Sequence, residues 1–278
     1  MNHNGAGVDK EQEEAPLPVI FVQENQTAKQ FCLNFFAQFD QSRNQQIPLY
    51  YKDVSQVSFE GSMIPGGAQG FIQRLDQMGL PAQAKHRIVT VDCQPSMAGG
   101  GSLLVLVTGE FVGQQFSQVL HLVPNPSAGA GAFYVHNDML RVGNNNPFNC
   151  GAGTQQVVAQ DFIKFYYPTY DANRQALAPL YRPSSSYSFE QVNIQNSVET
   201  IMRKLCDMPQ VTHDLTSLTV DVMQVMPGNS SMLLLFVTGR MLIQEESNPL
   251  NFTEVFLLAQ ENGQGYFIAN QIFKFKYG

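Results

Sequence analysis

The chain repeats itself once, and no other feature restricts its fold as much. FFAQFDQSRNQQIPLYY, Phe35 to Tyr51, returns as FYYPTYDANRQALAPLYR, Phe165 to Arg182. Asp40 maps to Asp171 and Arg43 to Arg174 at an offset of 131, and Ser58-Phe59-Glu60 to Ser188-Phe189-Glu190 at 130. LLVLVTGEFV from Leu103 mirrors LLLFVTGRML from Leu233 at 130, and YVHNDMLRV from Tyr134 mirrors FIANQIFKF from Phe267 at 133. Matched blocks in one order, with offsets drifting by a few residues, are a tandem duplication. Two units of this size are domains; solenoid repeats are shorter and more numerous. The expected division of the 278 residues is a disordered segment 1–17, a first domain 18–142, a Gly/Asn/Pro-rich linker 143–156 and a second domain 157–278. A duplicated domain can reproduce in one chain the two-fold contact of a homodimer, so the expected state is a monomeric pseudo-dimer, or a dimer if the halves exchange.

Each unit opens helical and closes as sheet. From Thr27, read as an N-cap, Ala28, Phe31, Cys32, Phe35, Phe36 and Phe39 follow helical spacing and give one strongly aromatic face. A short second helix is expected over 40–50 and a third over 68–78, then β-rich runs over 87–93, 102–112, 116–123 and 133–142. Helices followed by an antiparallel meander give an α+β class. The run LLVLVTGEFV is apolar on both faces, so one face must meet something besides its own helices; the equally two-sided LLLFVTGRML is the partner. Leu103, Val105 and Val107, with Leu233, Leu235 and Val237, are the expected inter-domain face.

Only 14% of residues are charged and the net charge is −7, which argues against blanket neutralisation of phosphates and hence against direct DNA binding. No apolar run reaches the roughly 20 residues of a membrane span, and the N-terminal stretch lacks the order of a signal peptide, so a soluble intracellular protein is expected. Cys32, Cys93, Cys150 and Cys206 form no C-x-x-C pair, so free thiols, no metal and no cofactor are expected. The sequons at Asn25, Asn229 and Asn251 carry no weight in such a protein.

The ordered set of FD-x-x-R or YD-x-x-R, then LY, SFEG at Ser58, VDCQP at Val91, a VTGEF strand, F-x-Q-x-L at Phe116 and YVHNDMLRV resembles the nuclear transport factor 2 (NTF2) domain family over Thr27–Val142 and again over 157–277. The resemblance implies two NTF2-like cones, each with N-terminal helices packed in a curved antiparallel sheet, joined through their outer sheet faces as a pseudo-dimer. VDCQP is similar to the small subunit of the mRNA export receptor, LCDMPQVTHDLTSLTVDV at Leu205 to the corresponding domain of its large subunit, and YVHNDMLRV to Ras-GAP SH3-binding scaffold proteins. In the family an aromatic beside an acid is linked to Phe-Gly repeats and to Ran-GDP. Phe59 and Phe189 are the candidate partner-binding aromatics, and Glu60 and Glu190 the Ran-type acids; plain core is the competing reading of Phe59. The remaining acidic pair of the family is replaced by Val112-Gly113-Gln114-Gln115, with Glu245-Glu246 near it in the second copy, which counts against Ran.

The resemblance thus implies a non-enzymatic nucleocytoplasmic transport factor or adaptor of nucleus, cytoplasm and nuclear envelope, with Phe-Gly nucleoporins and an export-receptor large subunit as partners. Two alternatives stand beside it: a ribonucleoprotein-granule scaffold binding short Phe-containing motifs, and a small-molecule-binding or isomerase/dehydratase-type enzyme in the cone. The enzyme's candidates are Tyr50, His86, Asp92, His121, Tyr181, His213 and Asp221, and no spacing unites two of them. Asp40 with Arg43, and Asp171 with Arg174, are expected as helix cap and i+3 partner.

Overall fold

The computed structural model describes residues 21–79, 81, 84–143, 153–226, 229–244, 246–261, 263 and 265–276. The segment 1–17, most of the linker, Cys150 and Glu245 lie outside the described residues. The first half runs α1 (Phe21–Gln46), a 3-10 turn Ile47–Tyr50, β1 (Tyr51–Phe59), β2 (Ser62–Met63), α2 (Gly67–Gln77), β3 (His86–Pro95), β4 (Leu103–Phe111), β5 (Gln114–Pro124) and β6 (Phe133–Val142). The second runs α3 (Thr154–Ala172), a 3-10 turn Arg174–Leu180, β7 (Tyr181–Phe189), β8 (Val192–Gln195), α4 (Val198–Asp207), β9 (Val211–His213), β10 (Thr219–Met226), β11 (Asn229–Ile243), β12 (Leu250–Gln260) and β13 (Tyr266–Lys276).

The helix carrying the aromatic stripe is already running at Phe21, so Thr27 is inside it and is not its cap. It breaks at Ser42, and the second helix read over 40–50 is the helix end plus the 3-10 turn, where Pro48 favours the short turn. Ala28, Cys32, Phe35, Phe36 and Phe39 fill the first cone as their spacing predicts. The second cone has the same core, with Tyr166, Tyr167 and Tyr170 in place of phenylalanines.

Strand order is β2-β1-β6-β5-β4-β3 in one sheet and β10-β11-β12-β13-β7-β8 in the other, with β9 on β11. Each sheet is mixed: the meander is antiparallel, but β1 joins β6, and β7 joins β13, in parallel. YKDVSQVSF is mostly polar and alternates weakly, because this strand near the sheet edge exposes Lys52, Asp53 and Val54 between the buried Tyr51 and Ser55, so its pattern hid it. The glycine of VTG has a steric reason. A Cβ on Gly109 would lie 2.3 Å from the Arg87 carbonyl oxygen and 2.8 Å from the Phe116 ring; on Gly239 it would lie 2.6 Å from Leu218. Both strands pass where a core side chain crosses them, and only glycine fits.

The two sheets pack on each other. Leu104, Leu106, Val119 and Met139 of the first meet Met223, Val225, Leu234, Phe236, Val255, Leu257 and others of the second in a buried apolar cluster. This corrects the expected face. Leu103, Val105 and Val107 point into the first cone, and Leu233, Leu235 and Val237 into the second; the alternate residues make the contact. Both parities of these strands are apolar, so hydropathy does not choose between them. The choice falls to Phe111, which shares a parity with Leu103 and packs on the helix aromatic Phe39 at 6.0 Å.

Candidate functional site

The seam between the sheets carries polar pairs that obey the pseudo-two-fold. The hydroxyls of Ser117 and Thr253, equivalent positions on β5 and β12, meet at 3.1 Å. Asn137 donates to the Gln224 carbonyl and Asn270 to the Pro95 carbonyl, at 3.1 and 2.9 Å. Arg141 on β6 pairs with Asp221 on β10 at 2.8 Å, and Lys274 on β13 pairs with Asp92 on β3 at 3.4 Å; all four side chains are buried. Burial raises the Asp92 carboxyl above its ordinary range, opposed by Lys274. His121 and His136 stand edge to face at 5.9 Å beside the seam, and His136 donates through Nε2 to the Val225 carbonyl. Burial lowers the His121 imidazole to about 4.

The Phe-Glu positions sit at the β1–β2 and β7–β8 hairpins. Two residues connect each pair of strands, and both take positive φ: Glu60 and Gly61 at 51° and 76°, Glu190 and Gln191 at 48° and 72°. This twist suits a two-residue hairpin and is costly for residues bearing a Cβ. A specific contact opposes that cost, because each Glu accepts a hydrogen bond at 2.6 Å from the N–H at the end of the last strand, Val142 for Glu60 and Phe275 for Glu190. Glu190 also meets Lys274 at 3.2 Å. Phe59 is 3% exposed and packs on Phe71, so it is core. Its counterpart is more accessible: Phe189 is half-buried, stacks on Phe273 at 5.1 Å and lies under the Lys204 ammonium at 5.2 Å.

The Asp and Arg of the first motif do not fill the expected cap arrangement. Asp40 accepts from the His86 backbone N–H at 3.0 Å and holds His86 Nδ1 at 2.7 Å; Asp171 does the same to His213 at 2.8 and 2.6 Å. Each Asp therefore ties the end of the long helix to the strand that follows the shorter one. Arg43 reaches Asp76 and the Pro81 carbonyl, while Arg174 reaches carbonyls at Leu205, Met208 and Pro209. His86 stacks on Phe111 at 4.1 Å, and burial lowers its pKa despite Asp40. The proposed catalytic candidates are thus dispersed: Asp92, His121 and Asp221 near or across the seam, His86 and His213 bound to aspartates, and Tyr181 donating to Gln271 at 2.6 Å.

Inside the cones lies a pair that sequence reading missed. In the first, Asp138 accepts from Gln118 at 2.7 Å and from Tyr51 at 2.5 Å. In the second, Glu254 accepts from Gln271 at 2.6 Å and from Tyr167 at 2.8 Å. Gln118 corresponds to Glu254 and Asp138 to Gln271, so acid and amide have exchanged strands while the pair survives. Its only sequence signal is an acid in an otherwise buried strand, as in FTEVF. Burial pushes Asp138 up to about 6 and Glu254 up to about 7. The cavity around Tyr166, Tyr170, Tyr187 and Glu254 measures about 10 Å³, room for about one water at most.

The Glu254 carboxyl has a stability consequence. Its folded pKa lies above the ordinary 4.5, so the folded state holds an extra proton; this stabilisation is full below about 4.5 and is lost as pH rises through about 7. Glu254→Gln is neutral at every pH and lacks that dependence. Chemical melts at pH 5 and pH 8 are expected to favour the variant over the parent by about 2–3 kcal/mol more at the higher pH. A constant difference between the two pH values would refute the assignment.

The family profile described as Nuclear transport factor 2 (NTF2) domain matches residues 27–142 and 158–275. Nuclear transport factor 2 of Emericella nidulans is 40% identical over 124 residues, covering 44% of this chain and 95% of that protein. Nuclear transport factor 2 of Kluyveromyces lactis is 38% identical over 122 residues, covering 43% and 93%. Among solved structures, nuclear transport factor 2 from Cryptosporidium parvum is 30% identical with a TM-score of 0.39, covering 44% of this chain and 94% of that one. The C. albicans Mtr2-Mex67 M domain complex is 14% identical with a TM-score of 0.34, covering 43% and 94%.

Proposed function

The chain belongs to the nuclear transport factor 2 domain family in both its halves, and on that premise we propose that it is a non-enzymatic nucleocytoplasmic transport factor or adaptor that binds Phe-Gly repeats. The observation that carries this reading is the seam: the outer sheet faces are buried against each other within one chain, giving a two-cone body that needs no second subunit. The similarity to curated nuclear transport factors supports the same role. The 10 Å³ cavity of the second cone argues for binding on the outside and against chemistry within.

Phe-Gly contacts are weak and summed over many repeats, so shallow apolar sites on a weakly charged surface suffice. Phe59 is withdrawn into the core; Phe189 remains a candidate, joined by Phe165 at 50% and Leu49 at 74% exposure. Glu60 and Glu190 already hold the last strands of their sheets, which argues against their engaging Ran-GDP. An export-receptor large subunit would have to use a surface other than the seam. The purified chain should be retained on an immobilised Phe-Gly segment and released from a Ser-Gly control of equal length. Equal elution from both columns would end the proposal.

A further inference from the structure

A cleft of about 480 Å³ opens at one end of the seam. Arg141 enters it from the first domain, and Arg240 and Lys276 from the second, with Thr238, Asn251 and Phe252 on its walls. Among the described residues its lining contains three cations and no carboxylate, in a chain with 23 acidic and 16 basic residues. A cationic cleft is therefore contrary to the protein's overall charge.

Two of the cations are fixed from behind. Asp221 holds Arg141, which also donates to Thr219 and Thr238, and Asp214 holds Arg240 at 2.7 Å. The third is different. Lys276 is 8% exposed; its backbone lies opposite Asn251 in the sheet, and among the described residues its side chain forms no ion pair. Burial first, then Arg141, lowers its pKa to about 8, while Glu60 acts in the opposite direction. A buried ammonium without a bonded counter-charge is costly, and an anion in the cleft would relieve that cost.

The pseudo-two-fold supplies an internal control. The matching cleft, about 170 Å³, has Glu110 where this one has Arg240, and Glu190 also lines it; Lys276 stands between the two and lines both. Sequence divergence after duplication has made one cleft cationic and left the other of mixed charge.

We propose that the 480 Å³ cleft binds a phosphate monoester dianion between Arg141, Arg240 and Lys276, with its organic group toward the exposed ring of Pro249. Cations approaching from two domains suit a tetrahedral oxyanion better than a planar carboxylate, which one guanidinium can satisfy in its own plane. The volume exceeds what a phosphate alone fills, which leaves space for the carrier. The ester can come from a small metabolite or from a phosphorylated serine on a protein. The inference is independent of Phe-Gly binding.

Calorimetry of the full chain in about 0.15 M salt tests it with inorganic phosphate, phenyl phosphate, a phosphoserine peptide and its unphosphorylated form. Saturable one-to-one binding of phosphate-bearing probes is expected, with the unphosphorylated peptide silent. The tighter of phenyl phosphate and peptide identifies the source. Loss of one charge-assisted contact in Lys276→Gln should weaken binding about tenfold or more. Arg240→Glu, which installs the charge of Glu110, should abolish it, and the exposed Lys85→Gln should leave it unchanged. Circular dichroism and the melting temperature report whether each variant is folded. No saturable heat up to about 10 mM ligand, or binding that Lys276→Gln and Arg240→Glu both leave within about twofold of the parent, overturns the proposal.

Discussion

Phe236→Ala is expected to destabilise the protein by about 3–5 kcal/mol, the usual cost of emptying a buried aromatic site. Phe236 is fully buried on β11 at the centre of the seam, opposite Asp221 on β10 and Val255 on β12, with the Arg141 guanidinium 5.3 Å from its ring. Neither cone can close over the cavity alone, because its walls belong to both sheets. For a chain of this length each kcal/mol lowers the melting temperature by about 2–4 °C, so a drop on the order of 10 °C is expected. The loss should also uncouple the halves. Each cone keeps its own aromatic core, so calorimetry should resolve two transitions where the parent gives one. A variant melting within about 1 °C of the parent would mean that the sheets do not meet at this residue.

The duplication, the α+β class and the aromatic helix face were legible because each rests on a local period or a long match. The parity of β4 and β11 was not, since alternation carries information only when one face is polar. Phe111 and Phe236 held the answer: the first shares a face with residues that meet the helix, and the second lies on the opposite parity. Phe59 and Phe189 read alike in sequence, yet one is core and the other half-buried, because the difference lies in what packs beside them: Phe71 in one cone, Phe273 and Phe275 in the other. Asp40 was read against its nearest basic neighbour in the chain, whereas its partner His86 is 46 residues away. The cleft formed by Arg141, Arg240 and Lys276 left no local sequence signal, as its residues come from three strands of two domains.

Divergence of the halves is concentrated where polar groups are buried. At the first SFE motif, Ser58 Oγ is buried and has no hydrogen-bond partner among the described residues, while the equivalent Ser188 is met by Gln94 at 2.9 Å and by Asn193. The residues that stand at the positions of Gln94 and Asn193 on the first side are Met223 and Met63, which cannot serve. A homodimer could not make such a distinction, because both copies of every site would change together. Fusing the two domains in one chain permits each end of the seam to acquire its own chemistry.

The same asymmetry separates the two cross-domain ion pairs. Asp221 meets Arg141 through two contacts, at 2.9 and 2.8 Å, and Arg141 has no other carboxylate within ion-pair distance among the described residues. Asp221→Asn therefore leaves a buried guanidinium short of its counter-charge, a change that costs about 3–5 kcal/mol in buried pairs. Glu60, which accepts from Val142 nearby, should hold the value toward the lower end. Asp92 meets Lys274 at 3.4 Å, but Lys274 also has Glu190 at 3.2 Å, so Asp92→Asn leaves the ammonium paired. Burial already raises the Asp92 carboxyl, so removing its charge also removes part of a desolvation cost. Asp92→Asn is accordingly expected to cost about 1 kcal/mol or less, on the scale of a single net hydrogen bond. Denaturant melts of the two variants at neutral pH compare them directly. Equal losses would mean that the two ends of the seam are energetically equivalent and that Glu190 gives Lys274 no support.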